Sequence, residues 1–262
     1  MTPPAPPSNP SKSLHTRAPE SQGLRFAFLN EPPFCYRGRD GEVTGCDVEV
    51  ARRIVNEIGA GPFVPVETEF AQLLPGLADG RWQMTTGLFV TGARREIAAF
   101  SRPIWALSDG LLVRAGDPRG IDGYSSVARM PGLRLGVVGE QEQHRTALRL
   151  GISEQCISTF DAYDEAAAAV AAGAIDAFAS VAMAHRGYLS QRPNVGLAAV
   201  DVAVGEKKAE CGAFAFKKSA AELRDAIDGA LAVFLGSADH RALMTRFGFS
   251  AEEVDRVPSR DE

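Results

Sequence analysis

From Leu24 onward, short apolar runs alternate with stretches of helical period, and that alternation restricts the chain to an α/β fold. Leu24 to Leu29 reads as a strand, and residues 35 to 46 as a hairpin turning at Asp40-Gly41, a dipeptide suited to tight reversals. Asp47 then caps a helix whose Ala51, Ile54, Val55 and Ile58 share one face, and Gly59 to Gly61 stop it. A strand at Phe63 to Glu67, a helix from Gln72 to Ala78 ended by Asp79-Gly80, and a strand at Gly110 to Arg114 follow. The second half repeats the alternation, with strands at Leu133 to Val138, Ile175 to Val181 and Ala213 to Phe216. Its helices are an alanine-rich segment over Asp164 to Ala172, stopped by Gly173, and a long amphipathic one over Glu222 to Leu235. No internal sequence repeat accompanies this pattern.

At 262 residues the chain can form one large domain or two lobes. A formal net charge of −5 argues against nucleic acid or an anionic membrane as partner. The longest apolar stretches, such as Ala166 to Ala172, are far too short to span a bilayer. Residues 1–22 hold six of the 16 prolines and are expected to be a disordered tail. That tail shows no apolar signal segment, so a removed signal, a misassigned start and a cytoplasmic protein all remain open. Cys35, Cys46, Cys156 and Cys211 have no metal-type spacing. Cys35 and Cys46 sit symmetrically about Asp40-Gly41 and are expected to face each other as free thiols, a cross-strand disulfide being the alternative. His15, His144, His185 and His240 are scattered, and no triad, zinc or phosphate-loop pattern is present, so no cofactor or metal is expected.

The chemically richest stretch is Thr91-Gly-Ala-Arg94, between Gly87-Leu-Phe89 and Phe100-Ser-Arg-Pro103. A threonine opening a helix caps its free N–H groups, which point at whatever anion lies there. Arg94 falls on the first turn, where its planar fork can meet a carboxylate with two hydrogen bonds. Phe89 adds an apolar wall. The other reading of Arg94 is a surface arginine paired with Glu96, and Arg95 is the better candidate for a solvated charge.

The ordered set of motifs resembles the solute-binding proteins of ABC importers for polar amino acids, the family 3 type. It comprises Asn30-Glu-Pro-Pro-Phe34, Asp40-Gly41 with Thr44-Gly45 and Asp47, Leu74-Pro-Gly-Leu77, Thr91 to Arg94, Gly173-Ala-Ile-Asp-Ala177 and Arg246-Phe-Gly-Phe249. Within that family the likeness is strongest to ectoine- and 5-hydroxyectoine-binding proteins, on Asn30 to Phe34, Thr68-Glu-Phe70, Gly87 to Thr91 and Gly212-Ala-Phe-Ala-Phe216.

The resemblance implies a two-lobed periplasmic-binding-protein-like fold of type II, each lobe a mixed sheet flanked by helices, joined by a two-strand hinge. Lobe one would hold residues 23–110 and 210–250, lobe two residues 111–209, with a C-terminal tail at 251–262 and crossings near 108–113 and 207–212. The lobes would close on a small zwitterionic solute. Arg94 and Thr91 would take its carboxylate, Phe34, Phe70 and Phe89 would cage its delocalised cation, and Glu31 would accept its ring N–H groups. Trp105 is a further wall, and Glu140 stands where a polar group could enter the cleft. The phenylalanines can also be read as core and Glu31 as a solvated loop residue. The family's second acidic residue, five positions after Asp176, is Val181 here, which argues against an ordinary α-ammonium grip. The expected partner is an inner-membrane permease, the expected state a periplasmic monomer without enzymatic activity. A ligand-sensing protein and a cyclohexadienyl-dehydratase-like enzyme using Glu140 as general acid are the alternatives.

Overall fold

The computed structural model describes residues 23–117 and 119–257, so the proline-rich tail of residues 1–22 lies outside it. Four of the five residues of β1 (Leu24–Phe28) are buried, the pattern of a strand covered on both faces. A two-residue pair, β2 (Tyr36–Arg37) and β3 (Val43–Thr44), leads into α1 (Cys46–Glu57) and β4 (Phe63–Glu67). Then come α2 (Leu73–Ala78), β5 (Met84–Phe89), α3 (Gly92–Ile97), β6 (Ala99–Phe100) and β7 (Trp105–Leu107). The middle of the chain runs β8 (Asp109–Arg114), α4 (Tyr124–Arg129), β9 (Leu135–Val138), α5 (Glu142–Arg149), β10 (Ile157–Phe160), α6 (Tyr163–Ala171), β11 (Ala177–Val181), α7 (Ala182–Gln191) and β12 (Leu197–Asp201). It closes with β13 (Glu210–Phe216), α8 (Ala221–Phe234), α9 (Ala238–Arg246) and α10 (Ala251–Asp255).

These elements build a two-lobed α/β fold. The first sheet has the order β4-β1-β5-β13-β6, with β7 also on β13, and the second the order β10-β9-β11-β8-β12. In each, three parallel strands are followed by antiparallel ones. The two lobes therefore share a pairing scheme that no sequence repeat announces. The chain leaves the first sheet at Leu107 and enters the second at Asp109, one residue later than Ser108, and returns between Asp201 and Glu210. Beside the first crossing, His185 is buried between the Tyr163 hydroxyl at 2.6 Å and the Gly110 carbonyl at 3.1 Å. Burial drives its pKa down to about 3, so it stays neutral at physiological pH. Among the described residues no helix is long and apolar enough to cross a membrane.

Three local expectations are corrected. Asp47 does not cap α1: the capping position is Gly45, and the Asp47 carboxylate lies inside the first turn, buried. The hairpin pairs Tyr36 with Thr44 and Arg37 with Val43, closing with Gly38 N–H donating to Glu42 O at 2.8 Å. That register places Gly45, not Cys46, opposite Cys35. A shift of one residue changes the face of a side chain, and all four cysteines are free. The C-terminal segment is not wholly a tail, since α10 opens with a Ser250–Glu253 capping box and buries Val254.

The lobes meet behind the cleft where Gly187 of α7 abuts the Pro32-Pro33 turn of the first lobe. A Cβ at Gly187 would overlap the Pro32 carbonyl and the Pro33 ring. Gly187→Ala should thus raise helix propensity by about 0.5–1 kcal/mol in an open form yet oppose closing. Small-angle scattering is expected to show a larger radius of gyration for this variant at saturating ligand than for the wild type.

Candidate functional site

Asp47 organises the floor of the cleft. Its Oδ2 accepts from the Thr86 hydroxyl at 2.7 Å and the Gly87 N–H at 2.8 Å, and its Oδ1 from Trp105 Nε1 at 3.1 Å. Burial pushes its pKa up, while the donors from Thr86, Gly87 and Trp105 pull it back down. One carboxylate thereby ties α1, β5 and β7 together. Trp105 is slotted over two glycines: a Cβ on Gly87 would come within 2.6 Å of its ring, and one on Gly212 would overlap it. On either side of the indole stand Phe34, at 5.8 Å between ring centroids, and Phe89, at 5.6 Å and nearly perpendicular. All three are at least 93% buried, and the surface they retain faces a cavity between the lobes.

Arg94 enters that cavity from α3. The Thr91 hydroxyl caps the helix by accepting from Arg94 N–H at 3.2 Å, which orients the first turn. The guanidinium donates from Nη1 to Phe89 O at 3.0 Å and from Nη2, across the cleft, to Glu140 O at 2.9 Å. It also lies 5.3 Å over the Phe70 ring. Desolvation lowers its pKa and the neighbouring Glu142 raises it; an arginine remains charged throughout. Arg95, in contrast, is exposed.

Glu31 sits in the β1–β2 connection, where its backbone carbonyl accepts from Phe34 N–H and Cys35 N–H. The surface it exposes faces the cleft, and Ser180 Oγ of the second lobe donates to its Oε1 at 3.4 Å. Burial pushes its pKa to about 7, moderated by the Ser180 bond and aided by the charge of Asp47. A cation beside it would reverse that shift.

The cavity is lined by Glu31, Phe34, Phe70, Phe89, Arg94 and Trp105 from the first lobe. Two residues expected in contact with a solute are placed elsewhere. Thr91 spends its hydroxyl on the helix cap and is not in the lining. Glu140 adopts a left-handed φ of 62°, offers Arg94 its carbonyl, and lines an outer groove with Ala93, Ile97 and Arg145. The second lobe's side is instead Gln141, Glu142, Gln143, Ser180 and Val181, which sequence reasoning did not single out apart from Val181. The signal for them was the Gly139 turn that opens α5, whose N-terminal end borders the cavity without a side-chain cap. Asp176 is turned away, accepting from Arg119 Nη1 at 2.6 Å and Arg134 N–H at 2.7 Å. Val181 is part of the cavity wall. Among the described residues no cluster of His, Cys, Asp and Glu could hold a metal.

Comparisons with known proteins bear on this arrangement. Residues 24–249 match the family model of bacterial extracellular solute-binding proteins, family 3. A probable amino-acid ABC transporter periplasmic-binding protein of Sinorhizobium fredii is 31% identical over 243 residues, covering 90% of this chain and 80% of the relative. The crystal structure of EhuB in complex with hydroxyectoine superposes with a TM-score of 0.79 at 28% identity, covering 88% of this chain and 90% of that one. A cyclohexadienyl dehydratase of Pseudomonas aeruginosa is 36% identical over 93 residues, only 35% of this chain and 34% of the enzyme. The family and the relative that spans the chain are solute-binding proteins rather than enzymes.

Removing the Asp47 carboxylate takes the acceptor from the Thr86 hydroxyl, the Gly87 N–H, the Trp105 indole N–H and the Cys46 thiol, at roughly 1–3 kcal/mol for each buried donor left unpaired. Asp47→Ala is therefore expected to lose about 3 kcal/mol or more in chemical denaturation. Gly212→Ala should spare the fold more than Asp47→Ala does. It should displace the indole, seen as a red shift of tryptophan emission together with weakened solute binding.

Proposed function

The chain belongs to the bacterial extracellular solute-binding proteins of family 3, and from that premise we propose that it is the binding component of an ABC importer for a zwitterionic solute of the ectoine class. The lobes close over the solute outside the cytoplasmic membrane and present it to a permease. The observation that carries this reading is the pairing, within one aromatic-walled cavity, of an enclosed guanidinium with an enclosed carboxyl: Arg94 and Glu31. A carboxylate meets the Arg94 fork and the free amides at the start of α5. A delocalised cation lies against Phe34, Trp105 and Phe89, where each desolvated ring face contributes up to about 2 kcal/mol. Glu31 receives the N–H groups of that cation. Val181 offers a compact ammonium no partner, which favours a cation spread over a ring. The 28% identity with a hydroxyectoine complex supports the same solute class.

Thermal-shift and calorimetric titration against ectoine, hydroxyectoine, betaines and the common amino acids test this. A solute at 100 times its Kd stabilises the folded form by about 2.7 kcal/mol. Ectoine or hydroxyectoine is expected to give that stabilisation. A large shift with an ordinary α-amino acid and none with ectoine would overturn the reading. Arg94→Ala should weaken the bound solute by about tenfold or more, through loss of a charge-assisted contact.

The Glu31 shift sets a pH dependence. In the empty cavity Glu31 holds its proton up to about pH 7, and a bound cation favours the ionised form, so binding below pH 7 releases a proton. Affinity should rise with pH by up to about tenfold per unit below 7 and flatten above it. The same shift makes the free protein bind more protons than its unfolded chain between pH 4.5 and 7, so this group's contribution to stability falls as pH rises through that window. In Glu31→Gln both slopes should vanish, as read by calorimetry from pH 5.5 to 8.

A further inference from the structure

Glu142 is the first residue of α5 and faces the same guanidinium that the solute's carboxylate would meet. Its Oε1 lies 3.8 Å from Arg94 Nη2 across the cleft and 2.5 Å from Arg145 Nη1 on its own helix. The side chains of the cross-cleft pair are only 8% and 14% exposed, and both line the cavity. Arg94 has five N–H groups, of which those given to Phe89 O and Glu140 O are committed to backbone. The remaining N–H groups are what a carboxylate can claim, and Glu142 already stands among the claimants. The charged groups of the lining are then one guanidinium and two carboxyls, Arg94 against Glu31 and Glu142. Arg145 supplies a second cation to Glu142, but from the outer groove rather than the cavity.

We propose that Glu142 is a specificity-determining residue, an internal carboxylate that holds the anion position at Arg94 until a solute's own carboxylate displaces it. The inference rests on the reading that Arg94 receives the solute's carboxylate. Before a solute's carboxylate enters, Glu142 is the counterion of the Arg94 guanidinium and links the two lobes. An entering carboxylate takes over Arg94, and Glu142 falls back on Arg145. The cavity then carries one more negative charge than before, so only a solute that brings its own cation is accepted. A solute with a second carboxylate meets Glu142 and Glu31 at short range, where like charges repel strongly because water is excluded. Selection against acidic solutes thus comes from a repulsive group, complementing the attraction at Arg94.

Two measurements test this. In ligand-free protein, a double-mutant cycle of Arg94→Gln and Glu142→Gln should show coupling between the two sites in melting temperature, because the pair is in contact. In calorimetry, Glu142→Gln should bind ectoine about tenfold more tightly than the wild type. It should also lower the ratio of the Kd for L-glutamate to that for L-glutamine by at least about tenfold. Glu142→Ser, another side chain suited to a first helical turn, should behave in the same way and guards against an effect peculiar to glutamine. If ectoine binds the wild type and neither variant alters its affinity or the glutamate-to-glutamine ratio, the inference is overturned while the proposed function stands. If ectoine fails to bind but another carboxylate solute binds and shows the ratio change, the solute class is wrong and Glu142 keeps its role. Zero coupling in the cycle, or no carboxylate solute binding to any of the proteins, overturns the inference.

Discussion

The bond from Trp105 Nε1 to the buried carboxylate of Asp47 is the contact on which the site depends. Asp47 is in α1, Thr86 and Gly87 are in β5, and Trp105 is in β7, the last strand before the chain crosses to the second lobe. A carboxylate enclosed in protein is costly unless its oxygens are matched by donors, and here three donors from two strands and the neighbouring Cys46 thiol match them. Because each donor needs Asp47 as much as Asp47 needs them, the arrangement locks as a unit. The indole is then fixed over Gly87 and Gly212, and Phe34 and Phe89 can pack at its edges.

Above the floor two ionisable side chains are enclosed. Arg94 is desolvated and braced by two carbonyls, and Glu31 is desolvated and braced by a single long hydroxyl contact. The Glu142 carboxylate stands 3.8 Å from the Arg94 guanidinium. Ser180 reaches across the cleft to Glu31, and Arg94 reaches across it to Glu140 and Glu142. Arg186 of α7 pairs with Glu253 of α10, so the C-terminal helix also bridges to the second lobe.

Much of this was legible along the chain because it is local. Thr91 at a helix start, with Arg94 three residues on, needed only capping rules, and the capping bond is there. The alternation of strands and helices needed only period. Errors arose where a residue's role depends on a partner far away in sequence. Asp47 has the composition of a cap but finds its donors 39 to 58 residues on. Phe70, expected at the site, does line the cavity, and its ring also lies under Arg94, a pairing the local sequence does not state. The Cys35–Cys46 symmetry failed by one residue, the smallest register error a hairpin allows and one that reverses a side chain.

The sequence by itself determined the α/β class, the helix start at Thr91 and the first-turn position of Arg94. Each follows from residue type, period or spacing, which act over a few positions. Only the tertiary structure decided which side of the α5 turn faces the cleft. Glu140 takes a left-handed backbone and contributes its carbonyl, whereas Gln141, Glu142 and Gln143 supply the wall. Likewise it brought Ser180 to Glu31 over a separation of 149 residues. Such meetings depend on how two separately folded sheets rotate onto each other. No local propensity records that rotation, because its energy resides in contacts that exist only after both lobes have formed.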